Sequence, residues 1–337
     1  MLHRLPRRDA LRVLAGLPLL NRSLVGAAAA ELSHPATCEI AAGDLRVLFR
    51  DNSDSPGQLS GIDNLFHTAT PDFDAYDPDN PRASAGLNFE HIISGHANAN
   101  NKFTPRRGPF PMTVLPDGRS VKLTRKREDS PWDMSSTVTY TVTPPHYVDM
   151  DFRCTPHDAS LFGERGYAVL FFANYMHDVA DLALHFRGQS GPNEPESWIS
   201  ADAPPGHADW NQGGTYRSVE AADLAYDDDV EFRLNSWSYD WPRFTQPFYY
   251  GRAMQGMTLM LMFDRMHSEV DEVRFSLFKF KIRQHPRPAW DFQYVIKGIE
   301  AEREYGFRAR LAWKPFVSAE DCMAEYAKWR EGLSVKA

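Results

Sequence analysis

The feature that most restricts the fold is a two-residue hydrophobic period that recurs along the chain. Asp44–Arg50 reads DLRVLFR, Ser120–Arg125 SVKLTR, Ser136–Thr143 STVTYTVT and His146–Arg153 HYVDMDFR. The alternation returns at Gly166–Ala173, Asp181–Arg187, Asp229–Arg233, Met257–Phe263, Val273–Lys281, Trp290–Ile296 and Phe307–Trp313. Successive side chains of a strand point to opposite faces, so this pattern marks strands with one buried face. Turn chemistry separates the runs, as at Pro116-Asp117-Gly118 and Thr143-Pro144-Pro145. One helix is expected, at the C-terminus. Ser318 can cap it, Asp321 takes the capping-box position, and Cys322, Tyr326, Trp329 and Leu333 recur at helical spacing. Many antiparallel strands and few helices predict an all-β fold, a large antiparallel β-sandwich closed by a C-terminal α-helix. The concave face of a broad twisted sheet, rimmed by loops, is where a cleft is expected.

The first thirty residues have a different character. Arg4, Arg7, Arg8 and Arg12 make a basic start, Val13–Leu20 and Leu24–Ala30 are apolar, and Ala27 to Ala30 supply small-residue cleavage chemistry. These are the three parts of a secretory signal. The Arg7-Arg8 pair resembles a twin-arginine signal, although Pro6 stands where Ser or Thr is usual. Pro18, Asn21 and Arg22 interrupt the apolar run, which is too short for the roughly 20 residues of a membrane span. Residues 1–30 are therefore expected to be an export signal and 31–337 a single β-sandwich domain acting in the periplasm or outside the cell. Without the signal, 32 basic residues face 44 acidic ones, moving the formal charge from −8 to −12. Such a balance argues against nucleic acid and against anionic membrane surfaces as partners. The three cysteines, Cys38, Cys154 and Cys322, allow at most one disulfide and show no metal-type spacing. Cys154 lies in a strand-like run and is expected to be a buried small hydrophobe.

Residues able to do chemistry gather in several segments. Ser236–Arg252 holds Trp241, Arg243, Tyr249, Tyr250 and Arg252 together with the carboxylate of Asp240. Leu87–Arg107 crowds Glu90, His91, His96, Asn98, Lys102, Arg106 and Arg107. Asn174, Tyr175 and His177 fall where a strand ends. On the run that begins at Trp290, Trp290 and Phe292 share one face and Asp291 and Gln293 the other. Aromatic walls with a few placed polar groups suit a small-molecule pocket. Aromatic faces stack on sugar rings while charged and amide groups take the hydroxyls. His91, His96 and His177 are candidate proton-transfer groups, since an unperturbed imidazole titrates near ~6.5. Glu90, Asp240 and Asp291 are the candidate carboxylates. Asn98, Lys102, Asn174, Tyr175, Trp241, Arg243, Tyr249, Tyr250, Arg252 and Trp290 are the candidate substrate contacts. Each segment also has a plain reading, as a polar loop or a solvated sheet face. His91 and His96 are five apart, not at the spacing that places two ligands on one helix face, so no metal site is expected. No cofactor is expected either. The chain has no Walker-type phosphate loop, no His-Glu-x-x-His and no Gly-x-Ser-x-Gly.

The strand-rich plan with aromatic and histidine-bearing loops resembles the galactose mutarotase-like supersandwich, over residues 37–316. Phe172-Ala173-Asn174-Tyr175-Met176 is similar to the histidine-tyrosine-phenylalanine-asparagine turn of the epimerases, without its leading histidine. The resemblance implies a site on the concave sheet face, with a histidine and a carboxylate as the proton-transfer pair. The expected function is that of a secreted carbohydrate-active enzyme, a glycoside hydrolase or a polysaccharide lyase, acting on an oligo- or polysaccharide. A non-catalytic sugar-binding protein is the alternative.

Overall fold

The computed structural model describes residues 35–52, 59–76, 86–94, 104–107, 109–202, 212–221, 240–282 and 285–334. The largest of its three sheets has ten strands. Nine of them run in the order β11 (Ser197–Ala201), β10 (Leu184–Gln189), β14 (Phe248–Arg252), β15 (Met257–Phe263), β18 (Tyr305–Pro315), β8 (Tyr147–Pro156), β7 (Met134–Thr143), β6 (Ser120–Arg125) and β5 (Met112–Val114). The tenth, β13 (Arg243–Phe244), pairs with β10. A five-stranded sheet runs β12 (Gln212–Tyr216), β16 (Asp271–Ile282), β17 (His285–Ile296), β9 (Ala168–Ala173) and β4 (Asn88–Ser94). A small sheet joins β1 (Thr37–Ala42), β2 (Leu45–Arg50) and β3 (Gly61–His67). Every paired strand is antiparallel, and the arrangement is a multi-sheet sandwich with a C-terminal helix, α2 (Ala319–Ser334), besides the single turn α1 (Thr104–Arg107).

The alternation seen in the sequence decides what meets what. Val148, Met150, Phe152 and Cys154 turn inward from β8, and their neighbours turn out. Phe152 meets Phe172 of β9 edge-on at 5.0 Å, and Phe263 of β15 meets Phe292 of β17 at 4.8 Å. Phe49 of β2 stacks on Tyr140 of β7 at 5.6 Å, so all three sheets share one aromatic core. Aromatic pairs at these separations add about 0.5–1.5 kcal/mol each beyond the area they bury. The other face of the ten-stranded sheet is closed by α2. Ser318 Oγ accepts the Asp321 amide at 3.1 Å, as the cap reading requires, and Cys322, Tyr326 and Trp329 pack on Phe248, Tyr250, Met260 and Met262. Cys154 and Cys322 are buried, and all three thiols are free.

Two segments depart from the expected plan. Phe248–Arg252 reads as part of an aromatic loop but forms β14, a central strand buried on both faces, so it carries no period-2 signal. Gly251 is required there, because a Cβ would sit 2.5 Å from the Trp290 ring. Asn88–Ser94 forms β4 although its apolar period is broken, and the cause of the break is central to the site below. The strand expected over Asp229–Arg233 lies outside the described residues.

Candidate functional site

The five-stranded sheet turns one face to the aromatic core and carries polar groups on the other. Its register aligns these in rows. Thr215 of β12, Ser276 of β16 and Asp291 of β17 are direct cross-strand partners, and Arg274 of β16 pairs with Gln293 of β17. All five are buried. Among the described residues, the hydroxyls of Thr215 and Ser276 and the Gln293 amide nitrogen have no hydrogen-bond partner. A buried donor left unmade costs about 1–3 kcal/mol, so such groups cluster where a ligand or water can complete them.

The same face carries Glu90 and His91 because β4 contains a β-bulge. Phe89 pairs with Phe172 and His91 with Phe171, so Glu90 is the extra residue. Phe89 and Ile92 both enter the core, and the two residues between them are freed for the polar side. Glu90 is almost fully buried and held by three groups. Tyr175 donates its hydroxyl to both carboxylate oxygens, at 2.8 and 2.9 Å, and Arg106 Nη1 donates to Oε1 at 2.6 Å. His91 Nδ1 lies 3.2 Å from Oε2, and the His91 ring stands edge-on to Phe171 at 5.3 Å. Burial pushes the Glu90 carboxyl up, but His91, Arg106 and the Tyr175 hydroxyl together hold it below the usual glutamate range. Glu90 is therefore a carboxylate at neutral pH.

Asp291 is the opposite case. It is buried in the same layer and accepts one hydrogen bond, from the Asn174 amide at 2.7 Å. Burial raises it well above the ordinary aspartate value, the Asn174 bond offsets little, and the charge of Glu90 pushes it further up. The setting of Asp291 therefore favours the neutral acid. Tyr175, whose titration burial and both carboxyls push well upward, stays a phenol that donates to Glu90. Asn174 fixes the turn that carries Tyr175. Its Oδ1 accepts from the Leu87 amide at 2.8 Å and from the Tyr76 hydroxyl at 3.3 Å. Two carboxyls on one sheet face with titrations driven apart are the pattern of an acid and a base.

The other sequence candidates lie elsewhere. His96, Asn98 and Lys102 are outside the described residues. His177 packs against Phe73 at 5.9 Å. Asp240 is exposed and accepts from Arg217, the residue that follows β12, the strand at the opposite edge of the sheet from β4. Trp241 and Arg243 stay beside it, the guanidinium 5.2 Å from the indole. Trp290 points into the core and donates its indole N–H to the Leu182 carbonyl. Tyr249 is also core, its hydroxyl bonded to the carbonyls of Trp290 and Asp291, so it anchors the backbone of β17. Tyr250 is on the far side of the ten-stranded sheet, stacked with His185 at 4.9 Å among the residues that pack on α2. Arg252 is exposed, 4.9 Å from the Phe316 ring. The structure thus brings together Glu90, His91, Asn174, Tyr175 and Asp291, and adds Arg106, Ser276, Thr215 and Gln293. The aromatic row of Tyr249 and Tyr250 is divided between two faces because consecutive residues of a strand alternate.

Fold and site together define an antiparallel multi-sheet β-sandwich with a buried carboxyl, tyrosine and histidine cluster on the outer face of its five-stranded sheet. No protein-family model matches the sequence, and no curated protein matches it. Among solved structures the chain is similar to a GalM/aldose epimerase homologue from C. elegans, at 10% identity and TM-score 0.45, over 83% of this chain and 99% of that one. It is also similar to a heparan sulfate lyase HepC mutant from Pedobacter heparinus, at 7% identity and TM-score 0.42, over 84% of this chain and 35% of the lyase. A TPR-domain containing protein from Parabacteroides distasonis is matched at 8% identity and TM-score 0.43, over 84% of this chain and 47% of that one. The resemblance to the aldose epimerase type of β-supersandwich is weak and at low identity.

Proposed function

We propose that the chain is a carbohydrate-active enzyme, a glycoside hydrolase or a polysaccharide lyase, working by general acid/base chemistry at the Glu90–Asp291 face. The observation that carries this reading is the pairing of two buried carboxyls on one sheet face in opposite settings, Glu90 held by Tyr175, Arg106 and His91, which favour its ion, and Asp291 with a single backbone donor beside the Glu90 charge, which favours its acid. Asp291 supplies a proton to the departing oxygen and Glu90, with His91 beside it, receives one. Ser276, Thr215 and Gln293 offer hydrogen bonds to hydroxyls. The purified chain is incubated with a panel of neutral and uronate glycans. Hydrolysis adds reducing ends, and elimination also gives an unsaturated product that absorbs in the ultraviolet. Loss of product in both Glu90→Gln and Asp291→Asn supports the assignment. No product from any glycan, with binding retained, would turn the reading to a non-catalytic sugar-binding protein, which the uncompleted hydroxyl and amide groups of the same face also suit.

Export is part of the proposal and rests on the sequence of residues 1–30. N-terminal sequencing of protein recovered from the periplasm or medium tests it, and a mature chain still beginning at Met1 would defeat it. Among the described residues no helix is long and apolar enough to cross a membrane.

A further inference from the structure

Away from this face, two tight turns meet at an edge of the sandwich. The β1–β2 turn carries Asp44, and the turn between β7 and β8 carries His146. The Asp44 amide donates to the Pro145 carbonyl at 2.6 Å, which seats one turn on the other. His67, the last residue of β3, reaches the same place. Ligating atoms of Asp44, His67 and His146 all lie within 4.8 Å of one another.

The polar atoms here are poorly served by the protein. His67 is 6% exposed, and its Nε2 has no hydrogen-bond partner, the nearest carboxylate oxygen, Asp44 Oδ2, being 4.0 Å away. His146 Nε2 is turned to Glu325 Oε1 at 3.5 Å, so its other ring nitrogen is the one left for this site. Leaving the His67 nitrogen unmade is costly, and its convergence with a second imidazole and a carboxylate is a reason to look for a ligand. A nearby cation, Lys314, is turned to Asp321 and Glu325 at 2.9 and 2.8 Å, which offsets its repulsion of a second positive charge.

We propose that Asp44, His67 and His146 bind a single divalent transition-metal ion of the zinc type, clamping the β1–β2 turn to the β7–β8 turn. Two imidazoles and one carboxylate are a donor set such ions take, with a fourth position left to water. Metal-bound donor atoms sit about 3.3 Å apart in a tetrahedron of ordinary zinc bond lengths, so modest side-chain rotations close the present spacing. His146 then offers the ion its Nδ1, and Glu325 orients the ring from the opposite nitrogen, Nε2, the usual role of a carboxylate beside a ligating histidine.

His67 sets a condition. Its Nδ1 accepts the Ala69 amide at 3.0 Å, so the neutral ring carries its proton on Nε2. An ion bound at Nε2 needs that nitrogen's lone pair, so the single ring proton shifts to Nδ1 and the Ala69 amide must swing away. Uptake therefore reorders residues 67–69.

The test uses the full chain, stripped with a chelator and titrated with Zn2+ by calorimetry, and separately with Co2+ while visible absorption is followed. The expected result is one equivalent bound, a cobalt spectrum with ligand-field bands, and a higher Tm. His67→Gln and His146→Gln should each abolish the stoichiometric site. Asp44→Asn, at a half-exposed position that leaves the packing intact, should weaken it at least tenfold with unchanged far-UV circular dichroism. No saturable binding in the wild type, or binding unchanged in Asp44→Asn and His146→Gln, overturns the proposal. Glycan turnover is read in parallel and is not expected to depend on the metal, so failure here leaves the Glu90–Asp291 reading to its own test.

Discussion

Tyr175 gives its single hydroxyl proton to the carboxylate of Glu90, centred between the two oxygens at 2.8 and 2.9 Å. This contact joins the end of β9 to the bulge of β4. Tyr175→Phe removes one of the donors that hold Glu90 ionised and leaves the ring in place. Glycan turnover should fall by tenfold or more while Tm changes by only a few degrees. The alkaline or acid limb of the pH profile that reports Glu90 should move upward, because a carboxylate with fewer donors is easier to protonate. Unchanged turnover and an unchanged profile would remove Tyr175 from the site.

Asp291 makes a prediction about stability and pH. Its folded-state titration is raised, so folding favours the protonated form. The stability it contributes is complete below the unfolded aspartate value, near ~4, and drains as pH climbs toward the higher folded value. Asp291→Asn mimics the neutral acid and keeps an oxygen for the Asn174 amide. The variant should match the wild type near pH 4 and exceed it in Tm near pH 8. Asp74, pushed up to about 6 chiefly by burial, drains in the same direction at lower pH, but it is common to both proteins and cancels in the difference. A difference independent of pH would mean that Asp291 is ionised in the fold.

Gly251→Ala tests the close approach of β14 and β17. The new methyl would meet the Trp290 ring at 2.5 Å, and neither the strand nor the indole, tied to Leu182, is free to retreat. Overpacking of this kind costs about 1–3 kcal/mol or more. Urea unfolding should show a lower midpoint with an unchanged m-value.

Lys314→Met tests how α2 is fastened. The lysine holds Asp321 and Glu325, and Glu325 also accepts from Tyr147, so its loss strands partly buried carboxylates on the helix. A cost of about 1–3 kcal/mol is expected. Limited proteolysis should reach the α2 region sooner, with the rest of the sandwich protected.

The sandwich was legible in the sequence wherever a strand has one face in the core and one outside. Ser120–Arg125 was read to the residue, and so was Met257–Phe263 although both its faces are buried; the Ser318 cap was visible from its spacing. Legibility failed at a second strand without that asymmetry. β14 is buried on both sides and looks like an aromatic loop, and the same error placed Tyr249 and Tyr250 in a common pocket when a strand must send them opposite ways. For the site, Glu90 and Asp291 were visible as carboxyls beside apolar runs. Their union was not, because it depends on β4, β9 and β17 lying side by side, which no local pattern encodes. Arg106 was visible only as one cation in a crowded segment, 16 positions from the carboxylate it binds.

The extra residue in β4 has a wider meaning. A strand ordinarily assigns adjacent side chains to opposite sides of a wall, so a carboxyl and an imidazole next to each other in sequence could not cooperate. One inserted position cancels that rule at a single spot, and the neighbouring strands keep their pairing. A new reactive pair can in this way arise from an insertion of one codon, without any partner strand being rebuilt. Deleting Glu90 should undo it at a stroke, restoring strict alternation with Phe89 and Ile92 still in the core and His91 left on the outer face without its carboxyl neighbour.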